Sequence, residues 1–331
     1  MRALVYTAPE KMAIEDWPRP RPAAGEVEIA VDAAGICGAD ISGFLGRSRR
    51  RKPPLVFGHE LVGRTPAGRR VVADPLWSCG QCAECLSGAE NLCSGLRLLG
   101  MDRTAGCFAE FVAVPESQVY GIPDDLTDAR AIFAEPLANI VHLFRLAAPP
   151  PPFPVSFRMG IVGAGTMGSL ALKMALHLGV RDVLVEDVNE VRLASARQMG
   201  ATLAVNPKDA QAEARSFAGR GLDLVLDACG EEQARQQAFD VCRPGGTVVL
   251  LGMAKERSEL DFGASIRKEH RVLMPFGYTP VDFRRSLELL AAGAIDLTPW
   301  TAEMPLEDGQ SAFERMSGQR GGTLKLVLRV R

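Results

Sequence analysis

The pattern of apolar and polar positions changes character about halfway along the chain. Met159–Val162, Asp182–Glu186, Leu222–Asp227 and Gly246–Leu251 are short apolar runs. Between them lie Met167–Leu178, Glu190–Met199 and Glu232–Val241, whose apolar residues recur at helical spacing. Strands alternating with helices of this length predict a doubly wound parallel sheet. Upstream, Ala3–Tyr6, Glu26–Ala33, Val71–Ala73 and Phe108–Val114 read as short strands punctuated by Gly and Pro. That texture predicts an irregular β-rich domain. A proline-rich stretch, Pro149–Pro154, is expected to form a surface turn ahead of the parallel sheet. The tail, Thr323–Val330, returns to β character and is expected to pair with the first domain. The expected organisation is therefore a β-rich domain at 1–136, an α/β domain at 137–275, and a return of 276–331 to the first domain.

Composition narrows the function classes. A chain of 331 residues is long enough for two cores. Its 38 Lys and Arg nearly balance 40 Asp and Glu, so no basic field exists to attract nucleic acid. Nothing approaches the roughly 20 consecutive apolar residues that span a bilayer. The opening MRALVYTAPEKMAIEDW alternates like a strand and has no signal-peptide run. The expectation is a cytoplasmic protein with no nucleic-acid or membrane partner. Of eight cysteines, Cys79, Cys82, Cys85 and Cys93 cluster, whereas Cys37, Cys107, Cys229 and Cys242 are scattered. In a reducing compartment such tight spacing points to metal rather than to disulfides.

Gly163-Ala-Gly165-Thr166-Met167-Gly168 lies between an apolar strand and a helix. Gly163 suits a tight turn, Gly165 a close approach of backbone to pyrophosphate, and Gly168 close helix–strand packing. Thr166 and Met167 open the helix, whose free N–H groups and positive dipole end favour phosphate. Asp187 follows about 20 residues later, where a carboxylate accepts from ribose hydroxyls and repels a 2′-phosphate. NAD is thereby favoured over NADP, and the neighbouring Glu186 is expected to strengthen the charge argument. Arg192 lies along the adenine or is an exposed helix arginine.

Four thiolates from Cys79, Cys82, Cys85 and Cys93 satisfy tetrahedral zinc with no open position, the mark of a structural site; an iron–sulfur cluster is the rival. A second, dispersed set comprises Cys37 with Asp40, His59 with Glu60, and Glu135. Thiolate, imidazole and carboxylate together suit a catalytic zinc with room for substrate. Asp40 is the right type of residue to accept the second ring proton of His59 and fix its tautomer.

Taken together, Cys37-Gly-Ala-Asp40, Gly58-His59-Glu60, the four-cysteine lobe, Glu135-Pro-Leu and Gly163–Gly168 resemble the medium-chain zinc-dependent dehydrogenases over essentially the whole chain. The resemblance implies a Rossmann sheet plus a GroES-like catalytic domain whose structural-zinc lobe spans 79–93. It implies two zinc ions per chain, NAD, and a homodimer or homotetramer. Glu135 at the third ligand position is similar to the sorbitol, polyol and threonine dehydrogenase-like branch. In that resemblance Cys37 and His59 bind zinc, Glu135 completes the sphere directly or through water, and Glu60 exchanges in during turnover. Two positions depart from the pattern. Ala39 stands where the family carries a relay hydroxyl, and Ser42 where it often carries a relay His. The substrate proton must then leave through Ser42, Glu135 or a zinc-bound water.

The resulting expectation is hydride transfer between a secondary alcohol, polyol or cyclitol and NAD, with zinc as Lewis acid. A threonine-type 3-hydroxy amino acid dehydrogenase is the alternative. A non-catalytic NAD(H)-binding sensor and a zinc-free quinone or enoyl reductase are the rivals of other classes. The segment Gly43–Pro54, with its arginines at 47 and 49–51, is either a charged pocket rim attractive to anionic substrates or a solvated loop. Phe44, Leu45, Trp77 and Phe276 either line an apolar wall or fill core, and Cys107 has no evident role.

Overall fold

The computed structural model describes residues 1–102, 104–149, 152–318 and 321–331. Two of the prolines in the stretch expected to form a turn, Pro150 and Pro151, lie outside the described residues. The chain divides into two compact units, Met1–Ala138 with Gly277–Arg331, and Asn139–Phe276.

The Asn139–Phe276 unit is built on six parallel strands. Their order is Leu203–Val205, Asp182–Glu186, Arg158–Val162, Leu222–Asp227, Cys242–Leu250 and Arg271–Leu273. Numbered along the chain this is 3-2-1-4-5-6, the dinucleotide-binding arrangement, whose order reverses beside the first strand. The apolar interiors of the central strands Asp182–Glu186, Arg158–Val162, Leu222–Asp227 and Cys242–Leu250 are buried, as parallel sheets require, whereas the edge strand Arg271–Leu273 is largely exposed. The Leu203–Val205 strand and the Pro207–Ala218 helix escape the periodicity reading because they are short, or rich in Ala and polar residues. The latter declares itself instead by Asn206, whose side chain accepts from Lys208 N, and by Pro207 at its first position.

In the other unit the long Glu26–Gly35 strand is the organiser. It pairs antiparallel with Glu60–Arg64, Phe111–Pro115 and the C-terminal Lys325–Arg329 strand. A smaller sheet joins Lys11–Asp16, Arg2–Ala8 and Leu55–Val56. The strand expected from Phe108 begins only at Phe111, because Phe108 turns into the core and Ala109 makes an isolated bridge to Ala3. Between the sheets Tyr6, Phe44, Phe57, Phe108 and Phe313 pack ring on ring, with Tyr6–Phe57 centroids 4.8 Å apart and Phe44–Phe313 5.1 Å apart. Phe57 immediately precedes Gly58-His59-Glu60, so this aromatic cluster anchors the segment that carries His59 and Glu60. Phe44 and Trp77 are core residues; Phe276 is exposed. No helix among the described residues is long and apolar enough to cross a membrane.

Candidate active site

Cys37 is the N-cap of the Gly38–Phe44 helix, held in extended backbone, and its N–H donates to Asp40 Oδ2 at 3.1 Å. This capping arrangement fixes the thiol at the end of the Glu26–Gly35 strand. Glu60 opens the next strand and pairs directly with Gly35. A Cβ on Gly35 would lie 2.1 Å from Glu60 Oε2, so only glycine leaves room for the carboxylate. Local sequence and strand register thus bring Cys37, His59 and Glu60 together, with their ligand atoms all within 4.8 Å of one another.

The environment of this trio is charged yet buried. His59 Nδ1 lies 3.5 Å from Asp40 Oδ1. Burial would raise the Asp40 carboxyl, but the neighbouring His59 and Arg51 charges hold it down to about 2. Burial would lower His59, but Asp40 and then Cys37 lift it well above its ordinary value. Lys325 is wholly buried, and its ammonium donates to both oxygens of Glu60 at 2.7 Å and to Ile36 O at 3.2 Å. Burial works against that charge, and Glu60 with Cys37 raises it above the usual lysine value.

Glu135 stands on the first turn of the Ala134–Ala147 helix and is not among the three converging side chains. It lies beside Tyr278 and Asp74 and within electrostatic reach of Lys325. Tyr278 donates to Asp74 Oδ1 at 3.2 Å. Burial pushes the Asp74 carboxyl up to about 7. Ser42 is half-buried on the Gly38–Phe44 helix, and among the described residues no hydrogen bond joins its hydroxyl to Cys37, His59 or Glu60. The basic run is neither simple rim nor simple solvated loop. Arg50 pairs with Asp102 at 2.8 Å, and Arg51 is buried against Asp40 at 2.9 Å. Cys107 acquires an explanation: it is fully buried, with Sγ 3.4 Å from Glu60 O. Lys325, Asp74 and Tyr278 carry no local motif, and sequence reasoning missed them; Arg51 was legible only as part of the basic run.

The second cysteine set is also assembled. Cys79, Cys82, Cys85 and Cys93 Sγ atoms lie within 4.8 Å of one another. Cys82–Cys85 and Cys79–Cys85 are 3.4 and 3.9 Å apart. Tetrahedral zinc with Zn–S of about 2.3 Å demands an S–S edge of about 3.8 Å, so the donors fit. Cys79 N and Gly95 N both donate to Cys93 Sγ at 3.3 Å. For the other site, sulfur, imidazole and carboxylate are donor types that suit a zinc with a position left open.

In the parallel-sheet unit Gly163 has φ of +101°, as the turn leaving the first strand requires. A Cβ on Gly168 would lie 1.8 Å from Gly163 O, whereas one on Gly165 would meet nothing within 4 Å. Gly165 therefore fronts open space at the N-terminus of the Thr166–His177 helix, with Thr166 and Met167 in its first turn, a cradle suited to pyrophosphate. Asp187 lies one residue beyond the Asp182–Glu186 strand. Its Oδ2 accepts from Ala164 N and its Oδ1 from Asn189 N, each at 2.8 Å, so it ties the glycine turn to the next helix. Arg192 Nη1 lies 3.8 Å from Asp187, partly buried rather than exposed on its helix. Glu186 corrects an expectation. Its side chain is buried, and burial pushes its carboxyl up to about 7, so it adds no firm negative charge beside Asp187.

Comparison with known proteins agrees with this geometry. Residues 23–124 match the alcohol dehydrogenase GroES-like domain, and residues 166–292 match the zinc-binding dehydrogenase model. The L-threonine 3-dehydrogenase of Streptomyces coelicolor is 34% identical, with 99% of each chain covered. A zinc-binding dehydrogenase structure from Sinorhizobium meliloti 1021, bound to NADP, is similar at TM-score 0.88 and 28% identity over 99% of each chain. The L-idonate 5-dehydrogenase structure from Escherichia coli superposes at TM-score 0.87 and 26% identity, covering 99% of this chain and 98% of that one. Fold and site together define a zinc-dependent oxidoreductase with a Rossmann sheet and a GroES-like domain. The chain belongs to the medium-chain zinc-dependent alcohol dehydrogenase family.

Proposed function

We propose that the protein interconverts a secondary alcohol of a polyol or cyclitol with the corresponding ketone, using NAD. The convergence of Cys37, His59 and Glu60 within 4.8 Å carries this reading. When bound, zinc supplies Lewis acidity toward the alcohol oxygen, and the dinucleotide supplies a two-electron hydride acceptor. The chain supplies placement and charge. Cys37 and His59 are the metal donors, and Asp40 holds the His59 ring in one tautomer. Lys325 neutralises Glu60, which sets how readily that carboxylate serves as a ligand. With Ala39 lacking a hydroxyl, Glu135 receives the substrate proton directly or through water, Ser42 being the secondary route; Tyr278 lies beside the Glu135 carboxylate.

Gly163, Gly165 and Gly168 with the following helix hold the pyrophosphate, Asp187 accepts from the adenosine ribose, and Arg192 flanks the adenine. The Asp187 charge favours NAD, in contrast to the NADP of the Sinorhizobium meliloti neighbour. Cys79, Cys82, Cys85 and Cys93 hold a structural zinc. A homodimer or homotetramer is part of the same proposal, read by light scattering.

A second reading, oxidation of a 3-hydroxy amino acid, is favoured by the identity to L-threonine 3-dehydrogenases. Steady-state NADH formation with polyols, cyclitols, aldonates and L-threonine separates the two. Turnover of threonine alone would replace the first reading by the second. Tight NADH binding with no turnover of any alcohol would overturn both.

A further inference from the structure

Arg51 is an arginine with almost no exposure to solvent, in a run of basic residues that otherwise faces water. A buried guanidinium is costly unless its charge is matched and its hydrogen bonds are made. Here the charge is matched by Asp40, itself wholly buried, whose Oδ1 accepts from Arg51 Nη2 at 2.9 Å, while Arg51 Nε is buried without a partner among the described residues. The arginine stem passes over Gly43, where a Cβ would lie 2.4 Å from Arg51 Cδ. Its guanidinium carbon sits 5.5 Å from the centroid of the Phe57 ring. The Gly38–Phe44 helix and the segment leading to His59 thus both make room for this one side chain.

Asp40 touches both proposed zinc donors. One oxygen accepts the Cys37 backbone N–H, and the other accepts from Arg51 Nη2 and lies 3.5 Å from His59 Nδ1. Whatever fixes the charge and orientation of Asp40 therefore acts on thiolate and imidazole together. We infer that Arg51 is a positioning residue for the catalytic zinc, clamping Asp40 so that the Cys37 and His59 donors are presented in a fixed geometry. This rests on the zinc reading of Cys37 and His59. The planar guanidinium, seated over Gly43 and facing Phe57, gives Nη2 a fixed direction toward Asp40 that a flexible lysine ammonium lacks.

The four-cysteine lobe supplies an internal control within the same chain. Zinc content and chelator competition are measured on the holoenzyme, on R51M, on R51K and on C37S, with the visible spectrum of the cobalt-substituted proteins recorded alongside. In R51M one of the two metals should be lost to chelator about 10–100-fold more readily, while the lobe metal is held as in the parent. R51K should fall between R51M and the parent, and the cobalt spectrum of the weakened site should change. Equal retention of both metals by R51M, R51K and the parent would overturn the inference. So would simultaneous loss of both metals only on unfolding, which is what a purely structural arginine would give. Should R51M fail to fold, R51K carries the test alone: several-fold weaker retention at one site is expected, and parent-like retention overturns it. A parent and C37S with the same zinc content would instead sink the underlying zinc reading, a result distinguishable from failure of Arg51 alone.

Discussion

Glutamate 186 offers a direct test of the burial argument, because its replacement by glutamine removes a charge while nearly conserving shape. The side chain ends the Asp182–Glu186 strand at 2% exposure, and its Oε2 has no hydrogen-bond partner among the described residues. Burial foremost, with the nearby Asp187 charge, pushes the carboxyl from 4.5 up to about 7. An unfolded glutamate titrates near its ordinary value of about 4.3. Between those two pH values the folded protein keeps a proton that the unfolded chain has released. Stability must therefore fall as pH rises from about 4 to about 7. The full difference corresponds to about 3 kcal/mol. Glu186→Gln has no proton to lose and should lack this slope.

Thermal unfolding of both proteins, compared at equal concentration and zinc loading between pH 5 and 8, reads the effect. Only the difference between the two is used, since a two-unit metalloprotein need not unfold in one step. The gap in Tm should widen in favour of the variant by about 5–10 °C across that range. Parallel pH curves would refute the reasoning and mean that Glu186 is ionised in the folded protein.

Other outcomes follow from the sites. Cys37→Ser and His59→Ala should each lose one of two zincs and all measurable turnover, while NADH still quenches or shifts fluorescence on binding; turnover by either metal-depleted variant would refute the catalytic assignment. Cys93→Ser removes a sulfur that accepts two backbone N–H groups, so it should release the other zinc and expose the 79–93 lobe to proteolysis before the rest of the chain. Asp187→Ser should narrow the preference for NAD over NADP about tenfold or more in kcat/KM, because the like charge facing a 2′-phosphate is gone. An unchanged ratio would place discrimination elsewhere. Tyr278→Phe removes the hydroxyl that donates to Asp74 and should cost about 1–3 kcal/mol, with zinc content unaffected.

What the sequence by itself determined is whatever depends on short spacing. The glycine turn followed by its helix, the four cysteines of the lobe, and Cys37 capping a helix whose third residue is Asp40 are all local arrangements. Their geometry is nearly complete once the backbone takes its ordinary conformation. The parallel sheet was legible for the same reason, since each buried strand announces itself as an apolar run between helical periodicities. Leu203–Val205, only three residues long, and Pro207–Ala218, whose buried face is made of alanines rather than large apolar residues, were not.

Tertiary structure alone decided how charges are matched inside the protein. Lys325 reaches Glu60 across 265 positions of sequence, through a strand pairing that no spacing rule encodes. Arg51 looked like one more surface arginine until its partner Asp40 was seen to be buried. Glu186 looked like a second negative charge beside Asp187, yet desolvation at the end of a buried strand favours its neutral form. A charge is cheap in water and costly in a core, so the meaning of an ionisable residue depends on what the fold packs around it.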